Sequence, residues 1–208
     1  MHLKFVALSS ALLAAGCVSA VPEADTAGKE GCAAKTAQAE ADAVQVDEDR
    51  DPTMFAARAG GTSLVLVKVD GNDITGPNVL LSRYHEEEGR AIRGQARGSL
   101  VDLRIENGAV SGQIDNFPVN LTVERRGNKL DVSGLIPGRV SRYQIDEEGM
   151  RGMIGSCQYD LQRAGAGFTG RRACGGSVGF FTLELPDTMA SWSDADVAAV
   201  FAIFLRKT

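Results

Sequence analysis

From about residue 62 the chain alternates apolar and polar side chains in short runs. Val101-Asp102-Leu103-Arg104-Ile105 and Val119-Asn120-Leu121-Thr122-Val123 each place their apolar groups on one face, the period-2 pattern of a half-buried strand. A recurring apolar-x-Gly tripeptide punctuates these runs, at Ile74-Thr75-Gly76, Ile92-Arg93-Gly94, Val110-Ser111-Gly112, Val132-Ser133-Gly134, Met150-Arg151-Gly152 and Phe168-Thr169-Gly170. Its glycines are spaced 18, 18, 22, 18 and 18 residues apart. A second glycine set keeps nearly the same period in polar contexts that suit hairpin turns: Gly71, Gly89, Gly108, Gly127, Gly149 and Gly167. Each unit therefore reads as strand, turn, apolar-x-Gly strand, turn. Repeats of this kind between about residues 62 and 186 predict an antiparallel meander of roughly 10–12 short strands.

The tripeptide glycine shares a face with the apolar residue two before it, because side chains alternate along a strand. Glycine on a core face marks a bend or the close approach of another element, so the row predicts a sheet coiled into a barrel or half-pipe. The C-terminus offers the approaching element. Ser193 is suited to cap a helix over 193–207, with Asp194 and Asp196 in its first turn and Arg206 and Lys207 at its end. Val197, Val200, Phe201 and Phe204 form one apolar stripe and Ala198, Ala199, Ala202, Ile203 and Leu205 fill the other sides, so this helix belongs in a core, its alanine side against the glycine row. A β-solenoid, one coil per repeat, is the competing architecture.

The N-terminus has a different pattern. Lys4 precedes an apolar stretch from Phe5 to Ala15, too short to span a bilayer and suited to a signal peptide. The run Leu13-Ala14-Ala15-Gly16-Cys17 resembles the lipobox of bacterial lipoproteins, although Ala14 stands where leucine is commonest. That resemblance covers residues 1–20 only. It implies a signal peptide over 1–16 and a lipidated Cys17 carrying several acyl chains such as palmitate, with Val18 leaving outer-membrane sorting as the default. Val18-Ser19-Ala20 offers an ordinary secretory cleavage site as the alternative. Residues 17–60 read as the lipidated cysteine and an acidic flexible tether, leaving 61–208 as the repeat domain.

Charge sharpens this division. Residues 21–60 hold nine acids against four bases, whereas 61–208 hold 18 acids and 17 bases. A near-neutral body lacks the basic stripe that nucleic-acid binding requires. Cys157 and Cys174 lie 17 residues apart at matching places in consecutive units and are expected to form a disulfide in an oxidising compartment, leaving Cys32 over. In a meander they would stand two strands apart, ~9.6 Å, but in turns able to lean together.

Candidate chemistry is sparse. His2 leaves with the signal peptide, and His85-Glu86-Glu87-Glu88 reads as a solvated turn rather than a cation site, since metal ligands must converge from several elements. The chain shows no nucleophile–base pair, metal-ligand spacing or phosphate loop, so no catalytic residue, metal or cofactor is expected. Arg151, Arg163, Arg171 and Arg172 read as a solvated outer face, with a small anion patch as the sharper alternative. An outer-membrane barrel would need aromatic girdles, which 6% aromatic residues supply poorly. The leading expectation is a non-enzymatic envelope lipoprotein on the periplasmic or surface face, held to the membrane by its anchor and presenting a sheet surface to a protein or envelope polymer. A carrier of a lipid-like ligand inside the coiled sheet is the alternative, and a secreted protein of unassigned activity the next.

Overall fold

Each alternating run becomes a strand, and each polar glycine turn a hairpin. In the computed structural model, which describes residues 50–206, the first seven strands are β1 (Met54–Ala59), β2 (Thr62–Asp70), β3 (Asp73–Gly76), β4 (Val79–Glu86), β5 (Gly89–Ala96), β6 (Ser99–Glu106) and β7 (Ala109–Ile114). The second seven are β8 (Phe117–Arg126), β9 (Lys129–Ile136), β10 (Arg139–Ile145), β11 (Gly149–Ile154), β12 (Cys157–Ala164), β13 (Gly167–Cys174) and β14 (Ser177–Glu184). Every strand is antiparallel to the next, and β1 pairs with β14 as well as with β2, so the meander closes into a barrel. Closure excludes both the half-pipe and the solenoid, whose coils would stack by sequence-distant parallel pairing.

Fourteen strands exceed the 10–12 expected, and one of the additions lies inside the supposed tether. Phe55, Ala56 and Ala57 are buried in succession, and a bulge between Ala57 and Arg58 interrupts the register, so β1 shows no alternation to read. The domain limit placed at residue 61 therefore moves to the N-terminal side of Met54. The seam it makes is reinforced by an Arg58–Glu184 ion pair and by Arg50, which reaches the Leu185 carbonyl and Asp187. The signal peptide, Cys17, Cys32, the rest of the tether and Lys207 lie outside the described residues.

The helix α1 (Asp194–Phe204) starts where expected and ends earlier. Ser193 Oγ accepts from the Asp196 N–H, and Asp196 accepts from the Ser193 N–H, a reciprocal capping box. Leu205 is the C-cap, so Arg206 lies beyond the helix. α1 runs through the lumen. Phe204 and Phe201 stack on Phe55 of β1, Phe201 meets Tyr143 of β10, the Tyr159 hydroxyl of β12 donates to the Leu205 carbonyl, and Arg125 of β8 holds Asp194. No helix lying outside could reach strands on opposite walls. Its alanines, Ala195, Ala198, Ala199 and Ala202, recur at one-face spacing opposite Phe204, and this small-residue side allows the closest approach to β6–β9.

Gly112 and Gly134 lie on that stretch of wall, yet the glycine row makes room for something nearer than α1. A Cβ on Gly94, Gly112, Gly134, Gly152 or Gly170 would collide with a carbonyl of the preceding strand, at Leu80, Asp102, Asn120, Arg142 and Asp160 respectively. Their φ values, between 129° and 157°, are open only to glycine. The row lets alternate strands press against the carbonyls of their neighbours, the kind of glycine kink that curves a sheet towards closure.

Cys157 and Cys174 are directly paired residues of β12 and β13, with Cα atoms 4.4 Å apart, and form a disulfide. The two-strand separation expected of a meander is corrected here: 17 residues are the up and down limbs of one hairpin. Closing a loop of that length restricts the unfolded chain by about 3 kcal/mol. The Cys157→Ser/Cys174→Ser double variant is expected to lose about that much in urea denaturation, and the difference should vanish when both proteins are reduced.

Candidate functional site

The barrel has two unlike ends. Six hairpins form one rim, at 70–73, 86–89, 106–109, 126–129, 145–149 and 164–167, and carry nine acids against two bases. The seven hairpins of the other rim, at 59–62, 76–79, 96–99, 114–117, 136–139, 154–157 and 174–177, carry one acid (Asp115) and two bases (Arg97, Arg139). The N-terminus of α1 opens at the acidic rim and its C-terminus at the other.

At the acidic rim Asp196 is fully buried and serves two purposes. It caps α1, and it accepts from Arg90 Nε at 3.0 Å with Arg83 Nη1 at 3.7 Å. Arg90 also donates to Ser193 Oγ at 2.7 Å, while the Arg83 guanidinium lies 4.3 Å from the centre of the Trp192 ring. Burial lowers the Arg83 pKa and the Asp196 charge offsets this. Arg90 and Arg83 are committed to Asp196, Ser193 and Asn72, so the cluster locks the start of the helix to the wall.

The lumen is occupied. Inward residues such as Phe55, Leu103, Leu121, Tyr159 and Phe181 are buried and packed around α1. The Tyr143 hydroxyl lies among them with no hydrogen-bond partner, and burial pushes its phenol well above the usual range. Because an unsatisfied buried hydroxyl is costly, Tyr143→Phe is expected to raise stability by about 1 kcal/mol, read as a higher denaturation midpoint.

The outer wall carries the unexpected feature. Leu80, Leu100, Leu135, Val140, Met153 and Val178 are large exposed apolar residues, each one position in from the strand end that meets the weakly charged rim. Leu66 and Phe180 lie further along β2 and β14, and Phe117, across the turn from buried Ile114, is exposed at the rim itself. Leu100, Leu80, Val140 and Val178 are between 67% and 71% exposed. The outward positions between them, Thr75, Gln95, Gln158 and Ala173, bear no charge and pair across the ladder with Leu80, Leu100, Met153 and Val178 respectively, while the other neighbour of Thr75 is Lys68. The next row towards the acidic rim is charged, with Arg93, Asp102, Asp160 and Arg171, the last directly opposite Phe180. The girdle is thus one residue row high, roughly 7 Å of strand. A barrel that crosses a bilayer needs an apolar outer band of about 25 Å, and no described helix is long and apolar enough to cross one.

Arg206 sits at the mouth of the lumen within this girdle. It is 7% exposed, packs against Gly155, and its Nη1 has no hydrogen-bond partner. Burial weakens its hold on its proton, the Asp115 carboxylate offsets this, and Arg97 adds to the strain between like charges. Arg97 itself has a φ of 54°, in a hairpin position where asparagine or glycine is the easier choice.

The residues singled out in the sequence do not converge on a site. Asp160 stands between Arg151 and Arg171 on the outer wall, Arg163 covers the Phe168 ring, and Arg172 points inward over Phe181, so the four arginines make no anion patch. His85 stays exposed beside Glu86, which is held by Arg93 at 2.7 Å. The girdle is hard to see in the sequence because a contributing strand supplies only one of its residues, and several strands supply none. Its signal lies in apolar doublets that break the alternation at one end only: Leu80-Leu81, Leu100-Val101, Leu135-Ile136 and Met153-Ile154.

These features define a closed antiparallel barrel with a filled lumen and a polarised pair of rims. Comparison of the chain with protein-family models, with curated proteins and with solved structures found no match.

Proposed function

We propose that this chain is a non-enzymatic lipoprotein of the bacterial cell envelope, anchored through Cys17, whose barrel presents its outer surface to another envelope component. The observation that supports it is the combination of a helix-filled lumen with an exposed apolar girdle: a packed interior leaves the outer wall as the place for recognition. The lipobox-like run before Cys17 supplies the address, and several acyl chains on one residue would give the stable attachment that a single chain cannot.

Intact-mass analysis of membrane and soluble fractions tests the reading, with Cys17→Ala as the control. The expected species is membrane-bound, begins at Cys17, is heavier by several acyl chains and disappears in the control. A soluble, unlipidated chain beginning at Val21 would make the protein a secreted one. Stoichiometric recovery of a lipid-like molecule from the purified, delipidated-anchor variant would replace the scaffold with a carrier.

A further inference from the structure

We propose that the apolar rim seats on the surface of an anionic lipid bilayer, with the girdle dipping into the headgroup layer and Arg206 and Arg97 receiving a lipid phosphate at the mouth of the lumen. The envelope reading enters only in placing a membrane within reach.

The direction of the side chains selects the occupant. Leu80, Leu100, Leu135 and Val140 point radially outward from the wall, not along the barrel axis. A protein pressed against the end of the barrel would meet the hairpin tips instead, and one pressed against the side would cover only part of the ring. A medium that surrounds the rim satisfies the whole ring at once. Five of the seven tips, Gly60-Gly61, Pro77-Asn78, Pro137-Gly138, Gly155-Ser156 and Gly175-Gly176, are small and uncharged, so they enter a headgroup layer at little cost; the other two carry Arg97 and Asp115. One row of apolar side chains matches the 5–10 Å depth typical of interfacial insertion, ~7 Å of strand being available.

Arg206 is the independent observation. A guanidinium nine-tenths buried with an unpartnered nitrogen is a costly arrangement unless an anion completes it. Its nearest charges are Asp115 and a second arginine, Arg97, so the mouth is cationic where the girdle is apolar. The opposite rim, rich in carboxylates, would be repelled by the same membrane, which fixes the orientation. Reach is no obstacle. Arg50, bonded to Leu185 and Asp187, is at the acidic rim, and the 32 residues between it and Cys17 could extend ~105 Å at ~3.3 Å each, several times the length of the barrel wall.

The test is flotation of the exported Cys17→Ala protein with vesicles of phosphatidylglycerol and phosphatidylcholine, and with phosphatidylcholine alone. Binding to the anionic vesicles is expected. Leu80→Ser/Leu100→Ser should lower the bound fraction at least about tenfold. Arg97→Asn should lower it about fivefold while folding as well as the parent, because asparagine accepts the positive φ. Tyr84→Ser, which removes the exposed aromatic nearest the acidic rim, should change nothing. The proposal is overturned if the parent fails to float, if the girdle substitutions leave flotation unchanged, or if millimolar inorganic phosphate abolishes binding as completely as they do. It is equally overturned if the parent is a dimer that Leu80→Ser/Leu100→Ser dissociates, which would make the girdle a contact between copies. The mass of the native chain at Cys17 is a separate readout, so failure of the anchor and failure of the rim are told apart.

Discussion

Asp196→Ala is expected to destabilise the barrel by about 3–5 kcal/mol, the usual loss when one partner of a buried ion cluster is removed. Three consequences act together. Arg90 and Arg83 keep their charges but lose their counter-ion. The Ser193 N–H and hydroxyl lose their acceptor, which dissolves one half of the capping box. The first turn of α1 then loosens inside a closed wall, where the released polar groups have little water to meet. Asp196→Asn keeps an acceptor for the Ser193 N–H and removes only the charge, so it should lose about 2 kcal/mol. Urea denaturation of the three proteins checks the order. Equal stability of Asp196→Ala and the parent would mean that the arginines are sustained by solvent and that the cluster is ornamental.

Gly134→Ala should be at least as damaging, by about 3 kcal/mol or more. The added methyl points into the Asn120 carbonyl of β8, which is backbone and cannot swing away, and the φ of 145° is closed to alanine in any case. The only relief is to part β8 from β9, with loss of ladder hydrogen bonds on a wall that α1 also touches. Gly138→Ala separates the two causes. Its φ is 71°, but nothing lies within 4 Å of the added methyl, so only the conformational penalty of about 1 kcal/mol applies. A Gly134→Ala loss no larger than that of Gly138→Ala would show that the wall yields easily and that the row is not what bends it.

The strands from β2 onward were legible because alternation and glycine punctuation act within a few residues. Ser193 and the apolar surround of α1 were legible for the same reason. β1 was not, since Met54-Phe55-Ala56-Ala57 has no period and is a strand only because β14 and β2 offer it edges. The cysteine pair was read correctly and its geometry was not, because spacing alone does not say which limb of a hairpin each residue occupies. The girdle lies furthest from local reading. Leu80 beside Leu81 is unremarkable until register aligns it with Gln95 and Leu100 around the wall. Arg206 illustrates the same limit: a basic residue after a helix reads as a dipole partner, and burial at a mouth lined by Arg97 and Asp115 appears only in three dimensions.

The seam between β1 and β14 has a consequence for how the molecule is made. Ala56 must find Glu184, so the last bond of the wall spans almost the whole of the described chain, a topology that folds slowly because the longest loop is closed last. During synthesis from the N-terminus, β1 emerges first and waits with one edge unpaired until β14 follows, about 120 residues later. The helix that fills the lumen is later still, so the filled barrel can shut only after α1 has been made. A chain stopped before β14 therefore has no closed form to fall into and keeps an open strand edge, the kind of edge that pairs with other strands.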